Sequence, residues 1–302
     1  MSKIIVTGGS GLVGFYLKKI LKDAIFLSSS DYDLTKEDEV KKMFTDLKPE
    51  RIIHLAAKVG GIIDNINYPI SYLDDNILMN TFLLKYSHLH NVSRFTAVLS
   101  SCAYPKISQH YPMKEETMYD GKLDENTFSY GLSKRVMATQ VDNYNSQYNT
   151  KYNYIIPCNI YGQTDKKSEN NSHFVTSLIN KIITAKKNND KSIKLFGDGS
   201  PKRQLLYAED LSRIIKKMID DDIIESFNVS PEEVYTIEEI SKMALEVTDN
   251  HMINIEFDRT KPNGQLIKTL DTERLKTIFP NFKFTNLRDG IKIYYNEIND
   301  TI

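Results

Sequence analysis

Tryptophan is absent from this 302-residue chain, and cysteine occurs only twice, at Cys102 and Cys158. Two thiols cannot build a disulfide framework in a chain of this size, and free thiols suit a reducing compartment. No apolar run approaches the roughly 20 residues of a membrane span. The N-terminus runs straight into a strand, without the charged start, apolar stretch and small-residue cleavage site of a leader, so the expected location is cytoplasmic. An excess of one charge is also missing: 39 Lys and Arg stand against 40 Asp and Glu, a formal net charge of −1. That balance gives neither nucleic acid nor a lipid surface an electrostatic hold, and neither is expected as a partner. Repeats and low-complexity linkers are lacking too. The rest is ordinary globular composition, 40% hydrophobic and 26% charged, in a chain long enough for one large domain and a smaller one. The 18 tyrosines carry no functional signal by themselves.

The first half alternates short apolar strands with amphipathic helices. Residues 3–7, 24–27, 51–57, 95–99 and 152–156 read as strands. Val13, Leu17, Ile20 and Leu21 recur at helical spacing, and residues 76–86 and 129–144 read as helices. Thr35 is placed to cap a helix carrying Val40, Met43 and Phe44. Repeated βα units with central apolar strands predict an α/β fold, a Rossmann-like doubly wound parallel sheet with helices on both faces. Residues 163–172 are polar and aperiodic, a mobile loop on this reading; helices follow at 174–187 and 206–219, and strands at 227–229 and 253–257. Thr236 and Glu239 form a capping-box pair, and further helices are expected near Thr272 and Leu287. The division expected is a dinucleotide-binding domain over 1–162 plus about 204–230, and a smaller α/β substrate-binding domain over about 163–203 plus 231–302.

The first βα junction carries Gly8-Gly9-Ser10-Gly11-Leu12-Val13-Gly14. Glycines there let the backbone approach a pyrophosphate, and the helix N-terminus supplies free N–H groups and the positive dipole end. The spacing fits both Gly9-x-Gly11-x-x-Gly14 and Gly8-x-x-Gly11-x-x-Gly14. The end of the second strand usually separates the two nicotinamide cofactors: an acid holds a 2′-hydroxyl, a base a 2′-phosphate. Ser28-Ser29-Ser30 is neutral, which disfavours strict NAD use and leaves NADP open. Asp33 and Leu34 line the adenine or begin the next helix.

Tyr130 and Lys134 lie one helical turn apart, downstream of Ser100-Ser101-Cys102. A lysine ammonium near a phenol lowers its pKa and suits it to act as an acid, while the serine hydroxyl bonds the same substrate oxygen. Cys102 adds a thiol at a strand end, where a plain reductase has no use for one; as a thiolate it can take a proton from the carbon beside a ketone. His173 is a candidate partner acid. Cys158, in an apolar strand, reads as packing. Lys181, Arg203 and Lys268 are candidates to neutralise a diphosphate.

Together these residues resemble the GDP-L-fucose synthases, a family of the extended short-chain dehydrogenase/reductase superfamily. The resemblance covers nearly the whole chain. It rests on His54-Leu55-Ala56-Ala57-Lys58-Val59-Gly60-Gly61, Ser100-Ser101-Cys102-Ala103-Tyr104-Pro105, Pro157-Cys158-Asn159-Ile160-Tyr161-Gly162, Asn171-Ser172-His173 and Gly264-Gln265-x-x-Lys268. It implies a 3,5-epimerase and 4-reductase acting on GDP-4-keto-6-deoxy-D-mannose with NADP, in a homodimer. It also implies Ser100, Tyr130 and Lys134 as the reductase triad, and Cys102 and His173 as base and acid of epimerisation. Gly8, Gly11, Leu12, Val13, Gly14, Asp33, Leu34, Ala56, Ala57, Asn159 and His173 then fall around the cofactor, with Tyr130 and Lys134. Ser101, Cys102, Asn159, Lys181, Arg203 and Lys268 fall around the GDP-sugar. Two departures stand out: Ser30 replaces a residue often basic in the family, and Cys158 a usual threonine. The same motifs fit a related enzyme acting on a UDP-linked 4-keto-6-deoxyglucose or a GDP-heptose. A non-catalytic cofactor-binding regulator is the rival of another class; it has no need of all five reactive side chains.

Overall fold

Strands β1 (Ile4–Thr7), β2 (Ile25–Leu27), β3 (Arg51–His54), β4 (Arg94–Val98) and β5 (Tyr152–Pro157) alternate with helices α1 (Leu12–Ile20), α2 (Glu37–Leu47), α3 (Ile62–Asn67), α4 (Pro69–Leu89) and α5 (Phe128–Tyr148) in this computed structural model, which describes residues 3–163, 174–261 and 263–299. The second half adds β6 (Asn159–Tyr161), α6 (Phe174–Asn188), β7 (Ser192–Phe196), β8 (Lys202–Arg203), β9 (Leu205–Tyr207), α7 (Ala208–Asp220), β10 (Phe227–Val229), β11 (Tyr235–Thr236), α8 (Ile237–Val247), β12 (Asn254–Asp258), β13 (Ile267–Lys268), α9 (Glu273–Ile278) and α10 (Leu287–Asn299).

Six strands form one parallel sheet in the order β10-β5-β4-β3-β1-β2. Its strands are buried on both sides, as a parallel sheet requires: Ile5, Val6, Ile52, Phe95, Ile155 and Phe227 are almost wholly sealed. The helices pack in two groups, α2 with α4 and α5, and α1 with α7. From β1 the chain goes to β2 on one side and returns to β3 on the other. The connections leaving the C-terminal ends of β1 and β3 therefore run to opposite sides, which opens the crevice in which such sheets bind ligands.

The apolar interior divides into two clusters. One surrounds the main sheet and includes Leu270, Leu275 and Phe279 from the far end of the chain. The other gathers α6, α8 and α10 around Leu178, Ile182, Ile240 and Ile291, with Tyr16 of α1 and Tyr207 of β9 at its edge.

Several expectations shift. The helix expected at 76–86 begins at Pro69. Its inner face carries Asn76, Asn80 and Ser87, which blur the apolar period. Thr35 does not cap α2; its N–H and hydroxyl both donate to Asp33 Oδ1 (3.1 and 2.6 Å), and Lys36 is the N-cap, with no side-chain cap bond. The stretch 206–219 opens as strand β9, which pairs in parallel with β6, before α7 starts at Ala208. The Thr236–Glu239 capping box is present in full. The loop expected at 163–172 lies, beyond Gln163, outside the described residues, as do Asn171, Ser172 and His173.

Candidate active site

The glycine turn is built so that backbone, not side chain, faces the crevice. A Cβ on Gly8, at φ +72°, would stand 2.6 Å from Ala56 N, so the β1 and β3 ends meet there. A Cβ on Gly14 would stand 2.5 Å from Gly9 O. Gly11 N–H donates to Gly8 O (3.0 Å), and α1 begins at Leu12 with no side chain capping its first turn. The open N–H groups and the space that any Cβ would fill fit a pyrophosphate. Val13 and Gly14 are buried, and Val13 O accepts from Ser212 Oγ of α7 (3.1 Å). Leu34 packs in the main core, while Asp33 closes the turn before α2, its O accepting Lys36 N–H (3.0 Å). Ala57 is half-buried beside Lys58, whose N–H donates to Asn76 Oδ1 (2.8 Å).

His54, at the end of β3, ties this floor together. Its Nδ1 pairs with Thr7 Oγ1 (2.7 Å) and its Nε2 with Asn80 Oδ1 (3.0 Å). Burial, with the nearby Lys134 charge, pushes the imidazole down to about 3, so it is neutral.

The reactive side chains converge past the end of β4. Ser100 caps a short 3-10 turn, Ser101–Ala103, by accepting Cys102 N–H on its Oγ (3.2 Å). Ser101 is buried within that turn. Tyr130 and Lys134 come from α5, and the Ser100 hydroxyl acts on the Tyr130 phenol. Lys134 Nζ donates to Val98 O (2.9 Å) and lies 5.6 Å from the Tyr130 ring centre. Burial brings its ammonium down to about 8. The phenol stands above its ordinary value through burial and then the Cys102 charge, with Ser100 opposing.

Lys268 is placed unexpectedly. Its Nζ donates to Cys102 Sγ at 3.1 Å. Burial raises the thiol, but the Lys268 charge and hydrogen bond, joined by Ser100 and Thr127, outweigh it and hold Cys102 below its ordinary range. In the register of β13 on β8, Lys268 sits beside Arg203. Burial brings that guanidinium down to about 10, with Cys102 and then Asp124 opposing. Gln204 fixes this unit by exchanging two bonds with Leu270, 2.7 Å to its N and 3.3 Å to its O. Asn159 lies half-buried at the start of β6. Cys158 next to it is buried and pushed up to about 12 by burial. Lys181 points elsewhere: it bonds Lys194 O (2.5 Å) and lies over Phe196 (5.8 Å), on β7.

Two residues that bind the site together carry weak sequence signals. Gly131, next to Tyr130, leaves room for the thiol turn, since a Cβ there would stand 2.4 Å from Cys102 O. Arg135, next to Lys134, donates to Ala103 O (2.6 Å) and Gly121 O (2.9 Å). Adjacency to the Tyr and Lys was the available hint.

Residues 4–230 match the NAD dependent epimerase/dehydratase family. The chain is 32% identical to a probable GDP-L-fucose synthase of Drosophila melanogaster, over 96% of this chain and 95% of that one. It is also 32% identical to the GDP-L-colitose synthase of Yersinia pseudotuberculosis, over 99% of each. Among solved structures, a GDP-L-fucose synthetase of Naegleria fowleri bound to NADP superposes with a TM-score of 0.90 at 28% identity, covering 99% of this chain and 93% of that one.

Proposed function

This chain belongs to the NAD dependent epimerase/dehydratase family and, within it, to the GDP-L-fucose synthases, and we propose that it converts GDP-4-keto-6-deoxy-D-mannose to GDP-L-fucose as an NADP-dependent 3,5-epimerase and 4-reductase. The observation that carries the reading is a thiol, Cys102, met by Lys268 Nζ at 3.1 Å in the very turn that the hydroxyl of Ser100 caps. A reductase alone gains nothing from it.

NADPH, held at the glycine turn, supplies the hydride for C4. The protein's own groups handle protons. The C4 ketone acidifies the hydrogens on C3 and C5, and Cys102 Sγ takes them in turn. Ser100 and Tyr130 hydroxyls donate to the C4 oxygen and stabilise the enolate, as an oxyanion site does. His173, outside the described residues, is the proposed acid that returns each proton on the opposite face. In the reductive step Tyr130 gives its proton to the C4 oxygen, and the Lys134 ammonium beneath it stabilises the phenolate left behind. One pocket serves all three steps because each polarises the same oxygen. Arg203 is assigned to the diphosphate.

The working assembly is proposed as a homodimer, with the smaller substrate domain assembled from about 163–203 and 231–302. The cytoplasm is the proposed compartment; no described helix is long and apolar enough to cross a membrane. A second reading, the same chemistry on another nucleotide sugar, is favoured by the equal identity to the colitose enzyme. The test is turnover of GDP- and UDP-linked 4-keto-6-deoxy sugars with NADPH, followed by identification of the product. GDP-L-fucose from the GDP-linked 6-deoxymannose is expected; preference for another sugar would replace the substrate, and no oxidation of NADPH with any of them would overturn the enzyme reading.

A further inference from the structure

The far end of the cofactor crevice has a feature that the serine run conceals. Gly9 N–H donates to Leu27 O (2.7 Å), and a Cβ on Gly9 would stand 2.7 Å from Phe26 Cβ. The glycine turn therefore lies directly against the end of β2, and the residues after Leu27 are the first to border an adenosine ribose lying across that turn. Three of them form a closed network. Ser28 N–H and Ser28 Oγ both donate to Asp31 Oδ2 (2.7 Å each), and Ser28 Oγ lies 2.7 Å from Ser30 Oγ. These bonds favour the ionised Asp31 carboxylate and hold it below its ordinary range. Asp31 is 20 residues beyond Gly11, the spacing at which an acid commonly meets the ribose.

No arginine or lysine occurs in residues 8–14 or 28–35. The first cation beyond, Lys36, pairs with Asp33 at 3.2 Å, and among the described residues no cation pairs with Asp31. A 2′-phosphate brought here meets hydroxyls and a carboxylate with no counter-charge, whereas a 2′-hydroxyl meets an acceptor. We infer that Asp31, oriented by Ser28, is the residue that limits this chain's selectivity for NADP over NAD. The inference rests on the nicotinamide reading above. The 2′-phosphate is admitted by the serine hydroxyls against the repulsion of Asp31, so the carboxylate is the removable obstacle and position 30 is where a cation is missing.

The test is calorimetric binding of NADP⁺, NAD⁺ and the nicotinamide-free probes 2′-phospho-AMP and AMP to the wild-type chain, Asp31→Asn and Ser30→Lys. Asparagine keeps an acceptor for Ser28 and removes only the charge. The expected result is NADP⁺ and 2′-phospho-AMP tightened about tenfold in each variant, with NAD⁺ and AMP unchanged or weaker. If Asp31 only closes its own turn, Asp31→Asn changes all four ligands alike or none of them, and the inference is overturned while the nicotinamide reading stands. Failure of every ligand to bind the wild-type chain would overturn both.

Discussion

Lys268 Nζ and Cys102 Sγ meet at 3.1 Å, although 166 residues separate them. An ammonium at that distance stabilises the thiolate over the thiol, and no sequence motif announces the pair. Lys268→Met should raise the Cys102 pKa, because the charge and hydrogen bond that favour the thiolate are lost while burial remains. The thiolate forms below the usual pH because the charged form is favoured, so removing the cation moves the acid limb of epimerisation to higher pH. At pH 7 proton exchange should slow about tenfold for each unit and recover in alkali. The pH dependence of Cys102 alkylation reads this directly, since Cys158 is buried. An unchanged alkylation pKa would show that Lys268 serves only the substrate.

Cys102→Ser should stop solvent deuterium entering C3 and C5 of the keto-sugar. The serine hydroxyl is far less acidic, while Ser100, Tyr130 and Lys134 stay in place. Slow reduction of the unepimerised ketone should persist and yield a 6-deoxysugar of the original configuration. Full exchange at both carbons in this variant, followed by mass spectrometry, would remove Cys102 from the mechanism.

Tyr130→Phe keeps the ring, which packs edge-on against Tyr72 at 6.5 Å, and loses the proton donor. Reduction should fall about 10²–10⁴-fold, with GDP-sugar affinity within a few-fold of wild type by titration. Activity close to wild type would assign proton delivery to another group.

Acid should weaken the fold through His54. Its folded pKa, about 3, lies below the ordinary 6.5, so the unfolded chain binds the proton first. The stability it contributes is fully present above pH 6.5 and is lost progressively as pH falls toward 3. The slope is at most about 1.4 kcal/mol per pH unit. His54→Gln, which can still bridge Thr7 and Asn80, should flatten that slope in urea unfolding compared at pH 7.5 and 5.5. Equal slopes in the two proteins would place the acid sensitivity elsewhere.

Much of this was legible in the chain. The strands that enter the sheet are short apolar runs with a single reading, and the glycine turn and Tyr130/Lys134 are local patterns that fold as they read. What escaped depended on partners distant in sequence. Asp31 is invisible as a ribose-facing acid until Ser28 is seen to orient it, because a strand-end reading stops at Ser30. Lys268 and Lys181 look alike as surface cations, yet β13 pairing with β8 carries one to the thiol and α6 carries the other to β7. The start of α4 was missed because its first turns expose Ile70 and bury only Tyr72, which leaves no apolar stripe to read.

The near-contact of Gly131 with the Cys102 carbonyl has an evolutionary reading. Thiol and phenol are fixed in one frame by backbone on backbone, and Arg135 ties the same frame to Ala103 O and Gly121 O of the intervening stretch, so variation there without moving one group against the other is confined to exposed positions such as Ile107. On the proposed mechanism the epimerase function is therefore mounted on a reductase frame, and a lineage can lose it by one substitution at position 102 while the fold and the frame persist.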